Sequence, residues 1–155
     1  MSAPPPEPAA VVAIHLAEVD SGPVHAVDRV EAVAGAGLRG DRYFEPGSDP
    51  ERQLTLIESE ELERLAAEHD IALEPGESRR QLTTRGVRLN PLVGRRFRVG
   101  AVECRGIELC EPCNHLQTLA GRPGLMRAAV HRAGLNAEIL TDGTIAVGDA
   151  ITELD

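Results

Sequence analysis

A chain of 155 residues, 42% of them hydrophobic, is long enough to bury a core and too apolar to be disordered, so one globular domain is the expectation. Aromatic residues at 2% and the absence of Trp leave Val, Leu, Ile and Ala to build that core. The net charge of −9 argues against general nucleic-acid binding, which needs an excess of positive surface charge.

That average hides a split. Glu58, Glu60, Glu61, Glu63, Glu68, Asp70, Glu74 and Glu77 face Arg64 alone, whereas Arg79, Arg80, Arg85, Arg88, Arg95, Arg96, Arg98 and Arg105 face Glu103 alone. An arginine-rich middle in an acidic chain fits a local anion site, because guanidinium pairs with phosphate or carboxylate at two points. A solvated strand face in a chain without lysine is the plainer reading. Three cysteines are too few for a secreted disulfide scaffold, and their odd number points to a reducing compartment. The start of the chain is Pro-rich without a basic residue, and His15 breaks the apolar run Ala9 to Ala17. Neither a signal peptide nor a membrane span is drawn, and a soluble cytoplasmic protein with no membrane partner is expected.

Residues 1–9 read as a disordered Pro-rich tail and residues 10–155 as one domain. Val11 to Leu16 predicts a strand, and after the Ser21-Gly22-Pro23 turn Val24 to Val33 predicts a second. His15 and His25 read as strand residues facing solvent or a partner. Ala36 to Tyr43 is a glycine-punctuated loop with Asp41 and Arg42, without the spacing of a P-loop or dinucleotide motif. Its glycines permit close approach to a ligand; an ordinary turn with an Arg–Asp surface pair fits equally. Arg52 to Ile57 alternates with period two, as a half-buried strand does. A helix follows, with Ser59 as cap, Glu60 and Glu61 in the first turn, and Leu62, Leu65 and Ala66 as its apolar stripe.

Pro75-Gly76 ends that unit, and Asn90-Pro91 turns the chain again. Phe97 and Val99 face one way and Arg96 and Arg98 the other. The strand Val102 to Leu109 changes phase at Gly106, which predicts a β-bulge, and Cys104 shares the phase of Val102 as a small buried hydrophobe. After Cys110-Glu111-Pro112-Cys113 a short helix is expected over Asn114 to Ala120. A second is expected from about Pro123 to Ala133, with His131 and Arg132 complementing its negative end and Gly134 as the C′ residue. Leu135 to Leu140, an Asp142-Gly143 turn and Thr144 to Val147 read as a hairpin, with a last strand over Ala150 to Leu154. Short strands without a repeated βαβ alternation imply an α+β fold, a curved and mostly antiparallel barrel-like sheet with two to three short helices.

The chemistry centres on the C-x-x-C. Asn114 is a good N-cap, so Cys113 stands at a helix N-terminus, where unpaired N–H groups favour the thiolate that attacks sulfur or binds a soft metal. A structural zinc site lacks ligands, since Cys110, Cys113 and His115 cluster tightly and no second pair exists. A thioredoxin-like role matches the C-x-P-C form but not its position in the chain. A non-catalytic binding or interaction module with an inert Cys113 remains a separate reading.

Gly40-Asp41-Arg42, Arg52-Gln53-Leu54-Thr55-Leu56-Ile57, Leu82-Thr83-Thr84-Arg85-Gly86-Val87, Leu92-Val93-Gly94, Cys110-Glu111-Pro112-Cys113, His131-Arg132-Ala133-Gly134-Leu135 and Gly148-Asp149 together resemble a stand-alone MOSC domain, the module named after the C-terminal part of molybdenum cofactor sulfurases. The resemblance implies a barrel-like fold that binds molybdenum cofactor or carries sulfur, with Cys113 as catalytic residue and metal ligand and Cys110 as its partner. Larger relatives reduce N-hydroxylated compounds, and the family is also associated with pyridoxal phosphate. This chain is expected to lack the N-terminal β-barrel region of those relatives. Arg42, Asp41, Arg52, Thr55, Arg85, Asn90, His131 and Arg132 are the expected cofactor-binding residues, with Arg42, Arg52 and Arg85 converging on the anionic part. A cysteine desulfurase-type sulfur donor or a redox protein is the partner the resemblance implies.

Overall fold

The computed structural model describes residues 8–111, 121 and 124–154. The β-branched and Leu-rich runs become strands β1 (Ala10–Ala17), β2 (Val24–Val27), β3 (Arg29–Val33), β4 (Gly37–Leu38), β5 (Leu54–Glu58), β6 (Leu82–Arg85), β7 (Arg96–Val99), β8 (Val102–Leu109), β9 (Leu135–Ile139), β10 (Gly143–Ala146) and β11 (Ile151–Glu153). One eight-stranded sheet has the order β11-β7-β8-β9-β5-β6-β1-β2, and a three-stranded sheet the order β10-β3-β4. Among the described strands only β5 and β6 pair in parallel, Leu56 opposite Leu82, because helix α1 (Ser59–His69) carries the chain back between them. The large sheet curls until β1 meets the segment that leads into β11. Ala10 bridges Ala150, and the N–H groups of Val11, Gly148 and Ile151 donate to the carbonyls of Asp149, Val11 and Ala9. Ala9 is therefore part of the closure and not of the tail to which the sequence reading assigned it. The α+β, curled and mostly antiparallel architecture is the one expected.

Leu54, Leu56, Leu82, Phe97, Val102, Leu135, Ile139 and Ile145 fill the space inside the curl. A second cluster of Leu65, Ile71, Leu125, Ala129 and Ala133 binds α1 to the segment before β9. Each Leu or Ile fully buried in these clusters is stabilising by about 1.5–3 kcal/mol. Among the described residues no helix is long and apolar enough to cross a membrane.

The bulge at Gly106 is present: β8 and β9 slip register between Gly106 and Glu108. Its cause is close approach. The Asn90–Leu92 turn delivers Val93 to a parallel bridge with Gly106. Gly94 N–H then donates to the Gly106 carbonyl at 2.8 Å and Gly106 N–H to the Arg95 carbonyl at 3.0 Å. A Cβ at Gly106 would run into the Leu92 carbonyl.

Several expectations need correction. The Asp142-Gly143 turn does not close a hairpin: β9 lies in the large sheet and β10 pairs with β3 in the small one. Asp142 instead accepts the Ala34 N–H at 2.8 Å, so the dipeptide marks a crossing between sheets. Val24 to Val33 is likewise split, β2 pairing with β1 and β3 joining the small sheet. β5 is buried on both faces and not half-buried, because its Gln53-Thr55 side is sealed by hydrogen bonds. Glu58 is the N-cap of α1 and Ser59 its first residue, and Ala66 is exposed. The later helix is only the turn Leu125–Ala128, and the left-handed residue that ends the segment is His131, φ 61°, ahead of Gly134. His15 is half-buried, packed on Gly76, and not turned to solvent.

Candidate functional site

The Gly40-Asp41-Arg42 turn is tied down from four directions. The buried Asp41 carboxylate accepts the N–H groups of Ala17 (3.1 Å) and Tyr43 (3.2 Å), Gln81 Nε2 (2.6 Å) and Arg42 Nη1 (3.1 Å). Gln81 and Thr55 lock reciprocally: Thr55 N–H donates to Gln81 Oε1 and Gln81 N–H to Thr55 Oγ1, both at 2.9 Å. Asp41 and Thr55 thus join the end of β1, the loop and the entrance of β6, and act as positioning residues. Their geometry presents Arg42, whose side chain is 6% exposed and donates to the Arg79 carbonyl at 3.4 Å. Arg42 stacks on the Tyr43 ring at 4.3 Å, and Arg52 approaches the same ring at 5.9 Å. Arg79 completes the group in a left-handed conformation, φ 61°, with a buried Nη2 that has no acceptor among the described residues. Burial, and then the positive charge of Arg42, hold its pKa below the usual arginine value. Asp41, the carboxylate buried among them, is already saturated, and the exposed Asp20 lies 3.9 Å from Arg42, so the guanidinium groups of Arg42, Arg52 and Arg79 outnumber these two carboxylates.

Arg85 does not belong to it. Arg42 N–H donates to Ala17 at one end of β1, whereas Arg85 pairs with Ala10 at the other, which at about 3.3 Å per residue separates them by roughly 20 Å. Arg85 Nη1 donates to Ser59 Oγ at 2.8 Å and meets Glu63 at 2.7 Å. A single pocket of Arg42, Arg52 and Arg85 is not formed, because Arg79 precedes β6 and Arg85 ends it.

The thiol-bearing segment leaves β8 at Leu109. Cys110 N–H donates to the Gly134 carbonyl at 2.8 Å, and a Cβ on Gly134, φ 115°, would run into the Leu56 carbonyl. Arg80, buried, donates from Nε to the Ala133 carbonyl at 2.8 Å and from Nη2 to the Glu111 carbonyl at 3.4 Å. The Glu111 carboxylate holds both the N–H and the ring of His131, and Asn90 Nδ2 donates to the His131 carbonyl at 2.9 Å. The Cys110-Glu111 and His131–Gly134 motifs are therefore one unit. Cys113, the helix expected over Asn114 to Ala120, and Pro123 lie outside the described residues. Cys104 is core, and burial, followed by the nearby Glu103, pushes its thiol up to about 12.

Beside this unit lies a cleft of about 640 Å³, bordered by Glu58, Glu61, Arg88, Asn90, His131 and Arg132. Its two arginines are loosely held, Arg88 3.6 Å from Glu58 and Arg132 4.0 Å from Glu61. Among the described residues no three His, Cys, Asp or Glu side chains gather as a metal site.

Arg79 and Arg80 are consecutive, yet one side chain enters the Arg42–Tyr43 cluster and the other grips Glu111. Two adjacent residues thus connect a cationic cluster with an unmatched buried donor to the segment that carries the cysteines. The guanidinium groups are of the type that binds a phosphate, and the thiol of Cys110 of the type that binds a soft atom. Sequence reasoning passed over Arg79, Arg80, Tyr43, Gln81 and Glu111; the only signal was the Arg79-Arg80 pair heading the arginine-rich stretch.

Solved structures share the fold. The YuaD protein of Bacillus subtilis superposes with a TM-score of 0.78 at 18% identity, covering 92% of this chain and 93% of that one. YiiM of Geobacillus stearothermophilus gives 0.75 at 15% identity, covering 96% and 76%, and YiiM of Escherichia coli 0.67 at 17%, covering 98% and 71%. No curated protein matches the sequence. The MOSC domain model matches residues 17–152, from the end of β1 into β11, and with it both motif groups just described: the chain belongs to the MOSC domain family.

Proposed function

We propose that the protein binds molybdenum cofactor, or carries sulfur on a cysteine, between the arginine cluster and the Cys110–Cys113 segment. The observation that carries this reading is the buried Arg79 Nη2 without an acceptor among the described residues, one residue from the Arg80 that grips Glu111. Arg42 and Arg79, with Arg52 at the rim, hold the phosphate by charge-assisted hydrogen bonds. Asp41 and Thr55 keep Arg42 in place. Cys113 is the proposed thiolate, as molybdenum ligand or persulfide carrier, and Cys110 its partner, held by Gly134. Asn90, His131 and Arg132 border the cleft beside that segment. When bound, the molybdenum group supplies the two-electron chemistry that reduction of an N-hydroxylated compound needs, and a desulfurase-type donor would supply the sulfur.

The test is Cys113→Ser with Cys110→Ser beside it, scored for persulfide formation and for reduction of an amidoxime by the cofactor-loaded protein. Loss of both in Cys113→Ser, with an unchanged circular dichroism spectrum, is expected. Full activity in that variant rejects the assignment and favours a non-catalytic binding module.

A further inference from the structure

The turn that delivers Arg79 rests on a histidine. Arg79 is the C-cap of the short helical turn Pro75–Ser78, its N–H donating to the Gly76 carbonyl at 3.1 Å. Ser78 Oγ braces the same turn, donating to the Pro75 carbonyl at 2.8 Å and accepting the Arg80 N–H at 3.2 Å. Both members of the Arg79-Arg80 pair are therefore aimed by this turn. Beneath it lies the ring of His15 on β1, so close that a Cβ on Gly76 would stand 2.9 Å from His15 Cδ2 and 3.1 Å from Val24 Cγ2 on β2. The strand fixes His15 in place, its N–H donating to the Gln81 carbonyl at 2.8 Å.

His15 Nδ1 is buried there and has no hydrogen-bond partner among the described residues. A neutral ring tolerates this, with the proton on Nε2 and an idle lone pair on Nδ1. A protonated ring does not, because both nitrogens then donate and a buried N–H without an acceptor is costly. The charged groups around the ring are His25 on β2, Glu74, Glu77 and Arg79 about the turn, Arg85 at the far end of β6, and Glu18 and Asp20 just past β1. None of them accepts from Nδ1: Glu77 Oε1 takes the Glu74 N–H at 3.0 Å, and Asp20 lies 3.9 Å from Arg42. Burial, and then the charge of His25, hold the His15 pKa below the ordinary 6.5. The opened turn takes the proton more readily than the closed one, so acid favours opening.

We propose that His15 is a positioning residue for Arg79: neutral, it supports the Pro75–Ser78 turn, and protonated, it loosens the turn and withdraws Arg79 from the Arg42–Tyr43 cluster. The opening of the turn stands on the packing alone; the loss of anion binding that follows rests on the proposed function of the cluster. The sign is diagnostic, since a positive charge gained near an anion site would by itself strengthen binding.

The experiment uses the full chain labelled with nitrogen-15, between about pH 7.5 and about pH 5.5, the range in which a histidine titrates. Hydrogen exchange of the Arg79 amide, corrected for its intrinsic pH dependence, should be about fivefold faster at the acid end. Sulfate, whose charge is constant over this range, should bind about threefold more weakly there, followed by the Arg42 and Arg79 amide shifts. Both responses should vanish in His15→Asn and move to higher pH in His25→Gln. Circular dichroism checks each fold, and His15→Leu replaces His15→Asn if that variant unfolds. An Arg79 exchange rate that does not respond to pH, an equal response in the variant without the histidine, sulfate binding that strengthens in acid, or a His15 ring titrating at or above about 6.5 would overturn the proposal. Absence of sulfate binding at every pH, with the exchange response intact, would support the acid-sensitive turn and count against the cluster as an anion site.

Discussion

Glu111 grips His131 at two points, accepting its backbone N–H at 2.7 Å and meeting its ring Nδ1 at 2.6 Å across 20 positions of sequence. His131 needs the grip, because a residue with a Cβ at φ 61° sits in a left-handed conformation that favours glycine. Glu111→Ala should cost about 1 kcal/mol in urea unfolding, the scale of one partly exposed hydrogen-bonded contact. His131→Gly, which loses the ring but relieves the backbone, should cost less. A larger loss in His131→Gly than in Glu111→Ala would show that the ring, and not the backbone, matters to the fold.

Gly106→Ala tests the close approach that shapes the bulge. The added methyl meets the Leu92 carbonyl, which is backbone and held by its own turn. Destabilisation of about 3 kcal/mol is expected from forcing atoms into a filled space. Calorimetry giving a melting temperature within a degree or two of wild type would contradict the packing described.

How much of this was legible in the sequence depended on how local the cause was. Gly106 was readable because the phase change and the glycine sit in one strand, and Cys104 because it shares the phase of Val102. Asp142-Gly143 misled because turn chemistry is local, whereas the choice of partner strand is made by distant β3 and by Asp142 reaching the Ala34 N–H. Arg79 and Arg80 looked like the other arginines of their stretch. What distinguishes them is that β6 brings one to Arg42 and the other to Glu111, contacts 37 and 31 positions away.

Glu58 gives a pH dependence with a definite sign. Its carboxyl is buried, and desolvation raises its pKa from the ordinary 4.5 more than the Leu89 N–H and Arg88 lower it. The folded protein therefore holds that proton to higher pH than the unfolded chain, and stability falls as pH rises from about 4.5 through the folded value. Glu58→Gln keeps an oxygen for the Leu89 N–H and removes the titration. It should match or exceed wild-type stability at pH 7, the advantage shrinking towards pH 4. A loss at pH 7 that disappears towards pH 4 would mean instead that Glu58 acts through its charge on Arg88.

Thiol accessibility should separate the described cysteines. With its pKa raised to about 12 and no exposed surface, Cys104 should resist iodoacetamide at pH 8 in the folded protein and react on unfolding. Mass spectrometry of peptides after a timed reaction reads this directly. Labelling of Cys104 as fast as Cys110 in the native state would remove it from the core.

The most direct measurement is the molybdenum and pterin content of the protein purified from a host that makes the cofactor, for wild type, Cys113→Ser and Arg79→Ala in parallel. Molybdenum and pterin together in wild type, pterin lost in Arg79→Ala, and molybdenum or persulfide sulfur lost in Cys113→Ser is the expected pattern. Wild-type protein with neither molybdopterin nor persulfide, or Arg79→Ala retaining its full pterin, would contradict the assignment of the arginine cluster and the thiol segment to one cofactor site.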